Sequence, residues 1–236
     1  MTPFIAELIG TALLLLLGDG VVANVVLKGT KGENSGWIVI TMGWGMAVFV
    51  AVFVVAAYSG AHINPAVTLG LAVAGKFDWA QVPFYLIAQF IGGAVGAFLV
   101  WLHYRDHFNT TDDGDAKLAV FCTGPAIRNT GSNFISETIG TFVLVFAVLY
   151  IAAPDVGLGA LDALPVGLLV LVIGLCLGGT TGYAINPARD LSPRLMHFLL
   201  PIPNKRDSDW GYAWIPVVGP IVGGVLAGLL FIVLGS

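Results

Sequence analysis

Ser59-Gly-Ala-His-Ile-Asn-Pro-Ala-Val67 and Thr181-Gly-Tyr-Ala-Ile-Asn-Pro-Ala-Arg189 share one tripeptide, Asn64-Pro65-Ala66 and Asn186-Pro187-Ala188, and that recurrence decides the fold. Asn is a strong helix N-cap and Pro is favoured at the first helical position, so each tripeptide opens a helix. Taken singly, such a start is ordinary capping. Two of them, in matched positions inside apolar sequence, point to helices that begin within a membrane and face a pore.

Working outward, apolar residues make up 57% of the 236-residue chain, charged residues 10%, and the mean hydropathy is +0.91. That composition excludes an ordinary soluble domain. Six segments are long and apolar enough to cross a bilayer: Phe4–Leu27, Trp37–Tyr58, Trp79–Tyr104, Phe134–Ala153, Ala163–Tyr183 and Trp210–Leu234. The first contains Glu7 and lacks a basic leader, so it reads as a span and not a cleaved signal. Cys122 and Cys176 give neither a disulfide framework nor a metal spacing, and no Lys/Arg run suggests nucleic acid. No cofactor is expected.

The chain is duplicated. Phe4-Ile-Ala-Glu-Leu-Ile-Gly-Thr11 matches Phe134-Ile-Ser-Glu-Thr-Ile-Gly-Thr141 at six of eight positions, and Ala88-Gln-Phe-Ile-Gly-Gly93 aligns with Gly219-Pro-Ile-Val-Gly-Gly224. Each half holds three spans, an odd number, so the second half enters the membrane from the opposite face and the repeats are inverted in space. Residues 1–104 form the first repeat, 105–133 a polar connecting loop and 134–236 the second repeat, within one channel domain. The segments following the tripeptides, 65–75 and 187–200, are too short to cross; eleven helical residues rise about 16 Å. Entering from opposite faces, their N-termini meet near the midplane. Ser59–Ile63 and Thr180–Ile185 then line a cavity as non-helical backbone, a ladder of carbonyl acceptors.

With these motifs the chain resembles the aquaporin family, and within it the bacterial glycerol-facilitator (aquaglyceroporin) branch, over nearly its whole length. The resemblance implies an all-α membrane protein of aquaporin-like fold, with six transmembrane helices plus two re-entrant half-helices in two inverted repeats. It implies a passive channel, tetrameric, with one pore per subunit, placed in the plasma membrane with both termini cytoplasmic. The solutes implied are glycerol and water, then dihydroxyacetone, urea, hydrogen peroxide and protonated small acids. The family's constriction falls on Trp44, Gly174, Tyr183 and Arg189, and its central constriction on Asn64, Pro65, Ala66, Asn186, Pro187 and Ala188. Tyr183 stands where glycerol channels often carry Phe. Asp190, Arg194 and the Pro216-Val217 pair also resemble that branch.

Two aromatic faces and a guanidinium make an amphipathic slot in which a polyol's carbon chain slides on rings while its hydroxyls meet Arg donors. Gly174 leaves room that a larger residue would fill. Arg189 stays charged and repels cations. Each assignment has a bland rival: Trp44 as an interfacial or core residue, Gly174 as a packing glycine, Tyr183 as a loop brace. An intramembrane arginine has the weakest such rival, because facing lipid is costly. Glu7 and Glu137, equivalent in the two halves, read as acceptors for re-entrant backbone, with proton coupling as the alternative. His62 braces its loop, with pH gating as the minor reading. Asp19, between Gly18 and Gly20, has no identified partner; a place on a vestibule wall is its reading. Gly92/Gly96 and Gly224/Gly228 are read as close helix crossings within one subunit.

Two other classes stay open: a secondary transporter, since inverted repeats with broken helices also serve alternating access, and a structural membrane protein of low permeability. No nucleophile–base pair or metal cluster suggests an enzyme. The implied orientation leaves Lys76 as the only cytoplasmic residue among the ten Lys and Arg, the reverse of the positive-inside expectation.

Overall fold

A computed structural model describes residues 1–151 and 161–235. Ten helices account for the regular structure among them: α1 Pro3–Val26, α2 Trp37–Ser59, α3 Pro65–Val73, α4 Val82–His103, α5 Arg105–Thr110, α6 Gly114–Phe121, α7 Thr130–Ile151, α8 Leu164–Leu177, α9 Pro187–Leu199 and α10 Ile215–Val233. Five of them, α1, α2, α4, α7 and α10, are long and apolar enough to cross a membrane.

The extent of the fifth predicted span, Ala163–Tyr183, is corrected. Its helix, α8, has 14 residues and rises about 21 Å, because Gly178-Gly179-Thr180-Thr181-Gly182 ends it and Gly182 turns inward with φ of +80°. Tyr183 therefore belongs to the re-entrant loop. Helices α4 and α10 start later than Trp79 and Trp210, each with Pro in the first turn, where the missing N–H is not needed. Ala152 and Ala153, the end of the predicted fourth span, lie outside the described residues.

Pairing follows the duplication. Helix α1 packs on α2 and α4, α7 packs on α8 and α10, and α2 meets α8 between the halves. At that central crossing a Cβ on Gly45 would lie 2.9 Å from the Gly167 carbonyl, and one on Gly167 would lie 2.8 Å from the Gly45 carbonyl. The small residues of α4 and α10 likewise serve close crossings inside the chain. A Cβ on Gly92 would come within 2.3 Å of the Leu8 carbonyl, and one on Gly223 within 2.3 Å of the Thr138 carbonyl. Their neighbours reach across: Gly93 faces Ala188 at the tip of α9, and Gly224 faces Ala66 at the tip of α3. Each short helix thus rests on the third long helix of the other half.

The connecting segment, read from sequence only as a polar loop, contains α5 and α6. Phe108, Val120 and Phe121 bury fully against Ala23, Leu27, Ala97, Val100 and Ile202. Lys117 is fully buried and donates to the Pro203 carbonyl, and Arg206 pairs with Asp115. Apolar residues spaced along a charged segment let it fold over one mouth of the bundle.

Candidate functional site

The geometry begins with two strained vertices. Gly60, Ala61 and Ile63 have φ of +78°, +52° and +44°; Gly182, Tyr183 and Ile185 repeat the pattern at +80°, +38° and +44°. A left-handed conformation at a residue bearing Cβ costs on the order of 1–3 kcal/mol, so the surroundings must impose it. Two buried carboxylates do so. Glu7 accepts from the Ser59 hydroxyl (2.6 Å), the backbone N–H groups of His62 (2.9 Å) and Ile63 (2.7 Å), and the Gln89 amide (2.7 Å). Glu137 accepts from the N–H groups of Ala184 (3.0 Å) and Ile185 (2.9 Å).

Beyond each vertex, the asparagines cap their helices. Asn64 Oδ1 accepts from the Ala66 N–H at 2.8 Å, and Asn186 Oδ1 from those of Ala188 and Arg189 at 3.0 and 3.2 Å. Their amides also cross over. Asn64 Nδ2 donates to the Ile185 carbonyl at 2.8 Å, and Asn186 Nδ2 donates to the Ile63 carbonyl at 2.9 Å. The N-termini of α3 and α9 are clasped tip to tip, and each asparagine amide keeps one N–H beyond the clasp. Pro65, Ala66, Pro187 and Ala188 form the buried first turns behind them. His62 Nδ1 lies 3.1 Å from the Thr68 hydroxyl, with the ring packed between Phe77 and Tyr85. Its counterpart is Ala184, so this bracing has no copy in the second half.

Trp44, Tyr183 and Arg189 gather on one side of the clasp and, with both asparagines, line a cavity of about 960 Å³. The cavity continues past the asparagines to Lys76, Pro165 and Phe231. The Arg189 guanidinium lies 4.2 Å from the centre of the Trp44 ring, and its Nη1 lies 3.5 Å from the Phe121 carbonyl. Tyr183 stands edge-on to Trp37, whose indole N–H donates to the Gly174 carbonyl at 3.2 Å. Gly174 itself sits one layer back: a Cβ there would lie 2.7 Å from Tyr183 Cζ and 2.9 Å from Thr41 Cγ2. The room it leaves is occupied by the Tyr183 ring. A glycine under Trp44 plays the same part, since a Cβ on Gly18 would lie 2.2 Å from the indole.

Several partnerships were not read from sequence. Asp19 is fully buried, does not line the cavity, and lies 3.6 Å from Arg189 Nη1, so the vestibule reading is replaced by an ion pair. The one available signal was a carboxylate inside an apolar span. Asp190 accepts from the N–H and hydroxyl of Thr123, each at 2.8 Å, and from Arg194 Nε at 2.8 Å. Arg194 donates further to the carbonyls of Ser208 and Thr123. This network ties the connecting segment to α9, which is how the Phe121 carbonyl comes to face Arg189. No sequence signal could have chosen that carbonyl. Among the described residues no group of three or more His, Cys, Asp or Glu could hold a metal ion.

Comparison with known proteins gives a consistent picture. The chain is 61% identical, over 98% of both sequences, to the "Probable glycerol uptake facilitator protein" of Thermotoga maritima. It is 56% identical, again over 98% of both, to the "Glycerol uptake facilitator protein" of Streptococcus pneumoniae. The X-ray structure of the aquaglyceroporin from Plasmodium falciparum superposes with a TM-score of 0.84 at 33% identity, covering 97% of this chain and 93% of that one. The family model for the Major intrinsic protein matches residues 1–231, and the chain accordingly belongs to the major intrinsic protein family.

Proposed function

We propose that the protein is a passive transmembrane channel for glycerol, water and other small uncharged solutes. The observation that carries this reading is the clasp of two half-helices inside a cavity whose walls are apolar on one side and studded with hydrogen-bonding groups elsewhere. A polyol entering at Trp44 and Tyr183 lays its C–H face on the rings and turns its hydroxyls to Arg189. At the clasp, the second amide N–H of Asn64 and of Asn186 receives the passing oxygen, while carbonyls of the two vertices accept its hydrogens. The lost hydration is thereby replaced step by step without any group changing protonation state.

Ion exclusion follows from the same parts. Each half-helix N-terminus carries roughly half a positive charge, and both point at one place. Together with the filter arginine they raise a barrier to cations and protons. Glu7 and Glu137 are engaged with backbone donors, which supports a structural role for them over coupling to a proton gradient. The crossed packing of α3 on α10 and of α9 on α4 supports reading residues 1–236 as one channel domain. By this reading the protein lies in the plasma membrane with both termini in the cytoplasm.

The test is reconstitution into liposomes followed by stopped-flow light scattering. Under an inward glycerol gradient, shrinkage followed by rapid re-swelling with weak temperature dependence is expected. Saturation at low glycerol together with dependence on an imposed proton or sodium gradient would indicate alternating access instead.

A further inference from the structure

The buried carboxylate of Asp19 has no place in the mechanism just given, and its surroundings are unusual. It is fully buried in the C-terminal third of α1, flanked by Gly18 and Gly20, and neither carboxylate oxygen accepts a hydrogen bond from any described residue. Its nearest opposite charge is the filter arginine, with Asp19 Oδ1 at 3.6 Å from Arg189 Nη1. A solvent-inaccessible carboxylate without donors is costly unless an opposite charge offsets it. The same pairing acts on the arginine: Trp44 lies against its face, Asp19 stands behind it, and Nη1 also reaches the Phe121 carbonyl at 3.5 Å, so Asp19 is the one charged group among its fixed neighbours.

The local charge balance sharpens the point. Asp190 pairs with Arg194 at 2.8 Å, and the remaining Arg194 donors go to backbone carbonyls. That pair is closed. Asp19 and Arg189 are left to each other, so the four buried charges sum to zero only while Asp19 is present.

We propose that Asp19 is a positioning residue that sets the selectivity of the filter from behind, holding the Arg189 guanidinium against Trp44 and offsetting part of its charge, while the guanidinium itself still faces passing cations. The slot then offers a neutral polyol a rigid set of donors without the attraction for anions that an uncompensated guanidinium would exert. This inference rests on the channel reading. Removing the carboxylate leaves a cationic, mobile arginine: polyol passage slows and small monocarboxylate anions gain entry. Removing the arginine instead leaves a lone carboxylate behind the constriction and admits cations.

The experiment uses full-length protein in liposomes with two readouts, glycerol re-swelling and electrogenic formate entry at pH 8 with potassium and valinomycin. Asp19→Asn is expected to lower the ratio of glycerol to formate permeability by at least roughly tenfold, well below what an unscreened pair at this distance would support in a partly dry site. Arg189→Gln is expected to open a potassium leak that Asp19→Asn, added in the same chain, abolishes. A merely structural role for Asp19 would not change ion selectivity in this reciprocal way. An unchanged permeability ratio in Asp19→Asn overturns the proposal. Should that variant fail to assemble, absence of a potassium leak in well-incorporated Arg189→Gln overturns it equally. Failure of the wild-type protein to pass glycerol would instead refute the channel reading.

Discussion

Replacing Gly18 by Ala adds a single methyl group, remote from the lumen, that the structure turns into a filter mutation. The new Cβ would lie 2.2 Å from Trp44 Cζ3 and 2.4 Å from Cε3 and Cη2, where ordinary contact begins at 3.4 Å. The indole must therefore retreat by about an ångström or more, since Gly18 is backed by the rest of α1. Trp44 lines the cavity and Gly18 does not, so retreat carries the ring into the passage and off the guanidinium it now faces at 4.2 Å. Overpacking of this kind costs about 1–3 kcal/mol in well-packed sites. If that energy appears at the constriction as a barrier to a solute as wide as the slot, glycerol flux falls by roughly five- to a hundredfold, at about 1.4 kcal/mol per decade. Water, being narrower, loses less. The assay is the glycerol-to-water permeability ratio in proteoliposomes of matched protein content, and Trp44→Phe in the same chain should recover part of the loss by shrinking the ring. An unaltered ratio in correctly incorporated Gly18→Ala would refute the placement of Trp44 at the rate-limiting constriction.

Further outcomes follow from the same geometry. Glu7→Gln replaces acceptor lone pairs with an amide N–H₂ facing two backbone donors, and should destabilise the protein by about 1–3 kcal/mol, read as a lower unfolding temperature in detergent; unchanged stability would show that the vertex holds its shape unaided. Asn64→Asp removes the donor to the Ile185 carbonyl and places a carboxylate at the clasp, so proton entry, followed with a trapped pH dye, should rise; a proton-tight variant would discount the half-helix barrier. Gly174→His drives a side chain into the Tyr183 ring and should suppress glycerol flux at least about tenfold while sparing water more; equal loss of both would mark a collapsed fold and not a narrowed slot.

The parts legible in sequence are those specified by local chemistry. An Asn followed by Pro caps a helix wherever it occurs, and both half-helices begin where the tripeptides place them, at Pro65 and Pro187. Repetition paired Glu7 with Glu137, and in the structure both accept from N–H groups of their vertices. The less legible parts depend on contacts between distant segments. Tyr183 was counted both in a span and beside Asn186, and only the glycine-rich end of α8 decides between them. Gly174 was read as leaving room that a larger residue would fill, and what occupies that room is a tyrosine ring braced by Trp37, a residue 137 positions away in the chain from the carbonyl it binds. The helical character of the connecting segment rests on burying Phe108 and Phe121 against α1 and α4, which no local pattern announces. Asp19 was visible as an anomaly, and its partner was not.

The reciprocal amide bonds between the vertices bear on biosynthesis. Asn64 precedes the carbonyl it binds by 121 residues, so at roughly 5–20 residues per second its amide waits on the order of ten seconds for a partner to be translated. During that interval the first vertex sits unlatched, with a polar side chain and exposed backbone in the hydrocarbon layer, and water must accompany it. Closure of the latch therefore cannot precede the synthesis of Ile185, and a ribosome stalled before that residue would leave behind a half-built pore with its first vertex unsealed.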